Sequence, residues 1–92
     1  MRNTNLILER PQHSGVQKLY RFDNGYGASV VRHGFSYGGT EGLWELAVIQ
    51  YRNESEDFFL VYDTPITSDV IGDLTEDDVD DLLNKIEDLE NV

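Results

Sequence analysis

Val16-Gln17-Lys18-Leu19-Tyr20-Arg21-Phe22-Asp23-Asn24-Gly25-Tyr26-Gly27-Ala28-Ser29-Val30-Val31-Arg32 is the stretch that decides the fold class of this chain. Two β-prone runs flank an Asn-Gly pair. Asn-Gly tolerates the positive φ angles of a type I′ turn, so residues 16–22 and 26–32 are expected to form an antiparallel hairpin. With Asn24 and Gly25 as a two-residue loop, Phe22 falls opposite Gly27 and Leu19 opposite Val30. The first pairing sets an aromatic ring over a glycine; the second joins two aliphatics on the other face. Apolar groups then occupy both faces, and the pattern leaves the core side open.

On the C-terminal side, residues 33–42 form a loop with four glycines. Residues 43–51 alternate with apolar groups on both faces, the mark of a central strand. The polar run Arg52-Asn53-Glu54-Ser55-Glu56 is a turn, and 57–62 its antiparallel partner strand. On the N-terminal side, residues 6–9 offer a short strand ended by Pro11. Asp63-Thr64-Pro65 closes the sheet, because proline donates no ladder hydrogen bond. Residues 66–74 then read as a connector with a single helical turn at 68–71.

Thr75-Glu76-Asp77-Asp78 starts a helix, with a hydroxyl at the N-cap and carboxylates in the first turn. Val79, Leu82, Leu83, Ile86 and Leu89 recur at helical spacing and form one apolar stripe. The expected fold is therefore α+β, one domain over 1–92. An antiparallel sheet of about four to five strands (about 6–62) leads through a connector (63–74) to an amphipathic acidic helix (75–90) packed on one face.

Charge is distributed unevenly. Eleven of the eighteen acidic residues lie from Asp63 onward, opposed there only by Lys85, so this third carries −10 of the chain's −11. Away from its apolar stripe the helix shows Glu76, Asp77, Asp78, Asp80, Asp81, Glu87, Asp88 and Glu90, of which the first seven are the candidate contact acids. Several of these are like-charge neighbours at i, i+3 or i, i+4, each pair costing a few tenths of a kcal/mol. Asp81 with Lys85 is the one compensating pair. Folding does not require this arrangement, although solubility benefits from it.

As a binding surface, this face calls for a basic protein, including one whose own groove takes nucleic acid. A sixteen-residue helix spans about 24 Å, and phosphates advance about 3.4 Å each along a DNA strand, so the helix could stand in for several nucleotides. The same charge disfavours direct contact with nucleic acid or with anionic membranes. Self-repulsion favours a monomer. A structural or assembly role, with a homodimer formed through a sheet edge or the glycine-rich loop, is the alternative.

In that loop, Phe35 and Tyr37 are candidate interface anchors, since rings lose little entropy on burial; folding back onto the sheet is the other reading. Gly34-Phe35-Ser36-Tyr37-Gly38 matches G-x-S-x-G, but a nucleophile elbow needs a parallel sheet and a histidine that follows the serine. His13 and His33 both precede Ser36. Gly25-Tyr26-Gly27 lacks the third glycine and following helix of a dinucleotide site. The spacing from Asp69 to Asp81 does not fit a calcium loop, and acids along a convex helix do not form a hydrolytic pocket. A non-catalytic protein without cofactor or metal is expected. The absence of cysteine excludes a disulfide framework and thiolate chemistry. The apolar run Leu6-Ile7-Leu8 is too short for a signal peptide or a membrane span, so a soluble, cytoplasmic protein is expected.

Residues 20–32, the stretch Gly42-Leu43-Trp44-Glu45-Leu46-Ala47-Val48, and Tyr62-Asp63-Thr64-Pro65-Ile66-Thr67 with the acidic terminal helix together resemble small hypothetical proteins of tailed bacteriophages. The resemblance extends over most of the chain from Val16 onward and brings no catalytic motif. It implies the cytoplasm of an infected bacterium as the setting, where small acidic products bind and disable host proteins.

Overall fold

The computed structural model describes residues 1–12, 14–33, 42–66 and 69–90. Among these, six strands and one helix follow in the order β1 (Leu6–Gln12), β2 (Gly15–Arg21), β3 (Tyr26–Arg32), β4 (Trp44–Tyr51), β5 (Phe58–Leu60), β6 (Ile71–Leu74) and α1 (Glu76–Glu87). The fold is α+β, with one more strand than the upper expectation. The sheet runs β1-β2-β3-β4-β5, and β6 also pairs with β4. All pairings are antiparallel.

The β2–β3 hairpin forms where Asn24-Gly25 places it, but its register differs by one from the two-residue-loop expectation. Arg21 pairs with Gly27 and Lys18 with Val30. The loop has three residues: Phe22 N–H donates to Tyr26 O, Gly25 N–H donates to Phe22 O, and Gly25 takes φ 90°. A turn closed by a left-handed glycine is the second common hairpin solution, and it also exploits Asn-Gly. The shift moves Phe22 away from Gly27. Tyr51 covers that glycine instead: a Cβ added at Gly27 would lie 2.7 Å from Tyr51 Cε2.

With this register the even-numbered residues of β2, β3 and β4 share one face. Tyr20, Phe22, Ala28, Val30, Trp44, Leu46 and Val48 pack there against Val79, Leu83 and Ile86 of α1, with Val61 and Leu74. The ambiguity in the alternation is thus resolved by where the helix lands. The opposite face carries a smaller cluster of Leu19, Ile49 and Tyr51, with Phe58 against it. β4 is central as expected: β3 pairs along one side, while β5 and β6 share the other.

Three further expectations are corrected. β1 runs through Pro11 instead of ending before it, because β1 is an edge strand and an edge tolerates a missing donor. The sheet is not closed by Asp63-Thr64-Pro65: Ile71–Leu74 returns as β6 beside β4, where a connector with a helical turn was expected. α1 ends at Glu87, with Asp88 as C-cap, short of the expected Glu90.

Candidate functional site

Thr75 caps α1 from an extended backbone, φ −76° and ψ 169°. Its hydroxyl accepts from Asp78 N–H at 3.2 Å, and Asp78 Oδ2 accepts from Thr75 N–H at 3.0 Å. This reciprocal box satisfies two of the donors that a helix start leaves unpaired. The Thr75 backbone N–H, followed by a contribution from the Thr75 side chain, holds the Asp78 carboxyl below its usual range. Asp78 therefore has a structural task.

The N-terminal segment occupies a second group of acids. Asp80 Oδ1 accepts from the Arg2 backbone N–H at 2.7 Å, and Asp80 Oδ2 lies 3.8 Å from the Met1 amino group. The Arg2 guanidinium donates to Glu87 Oε1 at 3.2 Å, Asn84 Oδ1 at 2.8 Å and Asn5 Oδ1 at 3.0 Å, and sits 5.5 Å from the Phe22 ring centre. Nothing local in the helix sequence reveals this, because the partners are 78 to 85 positions apart.

Glu76, Asp77, Asp81 and Asp88 remain. All four are exposed, and among the described residues no basic group forms an ion pair with them. The expected Asp81–Lys85 pair is not formed. At 3.6 residues per turn, Asp77, Asp81, Asn84 and Asp88 fall on the line opposite buried Val79, Leu83 and Ile86. From Asp77 to Asp88 that line extends about 16 Å along the axis. Of the seven candidate acids, the geometry thus separates three that work inside the fold (Asp78, Asp80, Glu87) from four that face outward.

Four basic residues of the sheet region are instead stacked on aromatic rings. Arg32 lies 4.5 Å and Lys18 5.6 Å from the Trp44 ring centre, Arg21 4.6 Å from Tyr51, and Arg52 5.2 Å from Phe59. Such contacts hold each cation by roughly 0.5–1 kcal/mol at exposed sites. Beside the outer line, Ile71, Leu74 and Leu82 floor a shallow groove between β6 and α1, rimmed by Asp78, Asp81 and Lys85, with a volume of about 360 Å³.

The helix C-terminus is closed from the hairpin. Asn24 Nδ2 donates to the carbonyls of Ile86 at 2.9 Å, Leu89 at 3.0 Å and Glu87 at 3.2 Å, while its Oδ1 accepts from Tyr26 N–H. Phe35 and Tyr37, the other candidates, lie outside the described residues, as do His13 and Ser36. Among the described residues no three of His, Asp and Glu stand together as metal ligands, and no helix is long and apolar enough to cross a membrane. No protein-family model, curated protein or solved structure matches this chain.

Proposed function

We propose that this protein is a non-catalytic binding module whose outer helix line, Asp77, Asp81 and Asp88, together with exposed Glu76 at the helix start, engages a basic protein surface. One observation carries the reading. The fold provides cationic partners for Asp80 and Glu87 and a capping role for Asp78, yet among the described residues leaves the outer carboxylates without an ion pair, while Arg21, Arg32 and Arg52 stack on aromatic rings of the sheet. The groove floored by Ile71 and Leu82 adds an apolar foothold next to the charges, suited to an aliphatic side chain flanked by Lys or Arg.

A stronger form of the proposal is nucleic-acid mimicry. About 16 Å of helix axis corresponds to the axial advance of roughly five phosphates on one strand, and a basic groove that takes DNA or RNA would accept a rigid carboxylate row in their place. The bacteriophage resemblance suggests a bacterial host as the source of such a partner. In affinity capture from bacterial lysate, nucleic-acid-binding proteins should be retained at low salt and released at high salt, since exposed charge pairs are screened. Replacing Asp77, Asp81 and Asp88 together by Asn should abolish the capture without unfolding the protein. Capture that survives the triple replacement would refute the assignment.

Self-association through a sheet edge has one observation in its favour: Ile7 and Leu8 on edge strand β1 are 49% and 42% exposed. Against it, β1 is interrupted by a register shift between Leu6 and Leu8 and contains Pro11, and β5 has only three residues. Bulges, edge prolines and very short edge strands all oppose edge-to-edge pairing. Sedimentation at two concentrations separates the readings, because the helix-mediated one leaves the free protein a self-repelling monomer.

A further inference from the structure

Asn24 combines two features. It is followed by Gly25, the residue that least obstructs attack by its own backbone nitrogen. Its side-chain amide also makes the contacts that close a helix. Only 7% of Asn24 is exposed. Its Nδ2 donates to the carbonyls of Ile86, Glu87 and Leu89, its Oδ1 accepts from Tyr26 N–H, and the Gly25 N–H is itself directed at Phe22 O.

We propose that Asn24 is a deamidation site gated by folding: the native turn shields it, the unfolded chain loses the amide, and the product no longer closes the end of α1. In the reaction the Gly25 nitrogen attacks Asn24 Cγ. A bond forms between them as the Cγ–Nδ2 bond breaks, and Nδ2 leaves as ammonia with the proton given up by the Gly25 nitrogen. Water then opens the five-membered imide at either carbonyl, giving aspartate or isoaspartate at position 24.

In the folded protein each requirement is blocked. The Gly25 N–H and the Asn24 amide are both committed to hydrogen bonds, and Nδ2 is shared among three acceptors. Three bonds of ordinary strength, one buried and two partly buried, suppress the free amide roughly a hundredfold.

The product is incompatible with the site. An amide that donates becomes a carboxylate that only accepts, set against the carbonyl oxygens of Ile86, Glu87 and Leu89 at the negative end of the helix dipole. Isoaspartate additionally lengthens the backbone of a tight turn. Time spent unfolded is thereby recorded as a covalent change that hinders return to the native state.

The test incubates the full chain at mildly alkaline pH, native and in concentrated urea, and follows intact mass with peptide mapping of residues 16–32. The unfolded chain should gain one mass unit at Asn24 about a hundredfold faster than the native protein. Gly25→Ala in urea should slow that gain, a comparison that does not require the variant to fold. Returned to native buffer, the aged chain should refold with an equilibrium constant at least about tenfold lower. Equal rates in the native and unfolded chains, an undiminished rate in Gly25→Ala, or an aged chain with an unchanged urea midpoint would each overturn the proposal.

Discussion

The side-chain amide of Asn24 donates to the backbone carbonyl of Ile86 at 2.9 Å, across 62 positions of sequence. One residue of the hairpin loop thus terminates the helix: it meets the carbonyls of Ile86, Glu87 and Leu89 just where the apolar stripe leaves the sheet. Helices commonly end on a left-handed glycine that lets their own backbone close the last turn. Here the residue after the helix, Asp88, remains right-handed at φ −85°; the Asp88 and Leu89 N–H groups donate back to Asn84 O and Ile86 O, and Asn24 adds a second closure from another element.

Asn24→Ala should accordingly destabilise the protein by about 2 kcal/mol, as the carbonyls of Ile86, Glu87 and Leu89 lose a side-chain donor and Tyr26 N–H loses its acceptor. The urea midpoint should fall with an unchanged slope. A change below about 0.5 kcal/mol would mean that water replaces the amide at no loss.

The Arg2 clamp calls for a different experiment, because Arg2 serves several partners at once. Arg2→Ala should cost about 1–2 kcal/mol through lost contacts with Asn84, Glu87, Asn5 and the Phe22 ring. The Arg2–Glu87 pair alone, partly exposed, should show a coupling of only about 0.5 kcal/mol in a double-mutant cycle. A coupling that accounts for the whole Arg2→Ala effect would contradict this division.

Gly27 is a position where the sheet admits no side chain. An added Cβ would lie 2.1 Å from Tyr20 O and 2.7 Å from Tyr51 Cε2, so Gly27→Ala should destabilise by about 2–3 kcal/mol through overpacking. Tyr51→Leu in the same background should recover part of the loss; Tyr51→Leu alone should not stabilise.

These sites also mark how far the sequence could be read. The Thr75 start of α1 and the turn at Asn24-Gly25 were legible because each depends on neighbours within four positions. The hairpin register was not, since Asn-Gly suits both two- and three-residue loops and only packing under α1 selects between them. β6 is not legible in the sequence because Gly72 and a left-handed Asp73 at φ 58° interrupt any alternation; its pairing with β4 is tertiary. The acidic face was legible as composition, whereas its division into structural and outward acids depended on Met1 and Arg2, at the far end of the chain.

Alkaline pH should unfold the protein through Tyr20. Its hydroxyl donates to Arg2 O at 2.8 Å. Burial, with the nearby charge of Asp80 adding to it, raises its pKa to about 12. The folded value lies above the unfolded one, near 10, so the neutral phenol's contribution is fully present below pH 10. It is lost as pH rises from 10 through 12. Tyr51, also raised by burial, adds in the same direction. Tyr20→Phe should flatten this alkaline limb in urea titrations at pH 9 to 12; an unaltered limb would place the sensitivity elsewhere.

The final prediction separates the two kinds of acid on α1. Asp80→Asn removes the charge beside the Met1 amino group and should destabilise. Asp88→Asn removes a negative charge from the negative end of the helix dipole and should stabilise by about 0.3–1 kcal/mol at low salt, the gain shrinking as salt is added. Asp81→Asn should add a few tenths of a kcal/mol by relieving repulsion from Asp77, four residues earlier. Asp78 behaves oppositely to both. Its carboxyl lies below the usual range because of its bonds to Thr75, so its contribution is present at pH values above the unfolded pKa, near 3.8. That contribution disappears as pH falls through the lower folded value, and Thr75→Ala should return the Asp78 titration, followed by NMR, toward the ordinary range. Stabilisation by Asp88→Asn and Asp81→Asn, together with the loss of capture expected of the triple variant, would identify carboxylates kept for binding at the expense of stability. Destabilisation by Asp81→Asn and Asp88→Asn would instead make the outer line part of the fold's own electrostatics and remove the basis for the binding role.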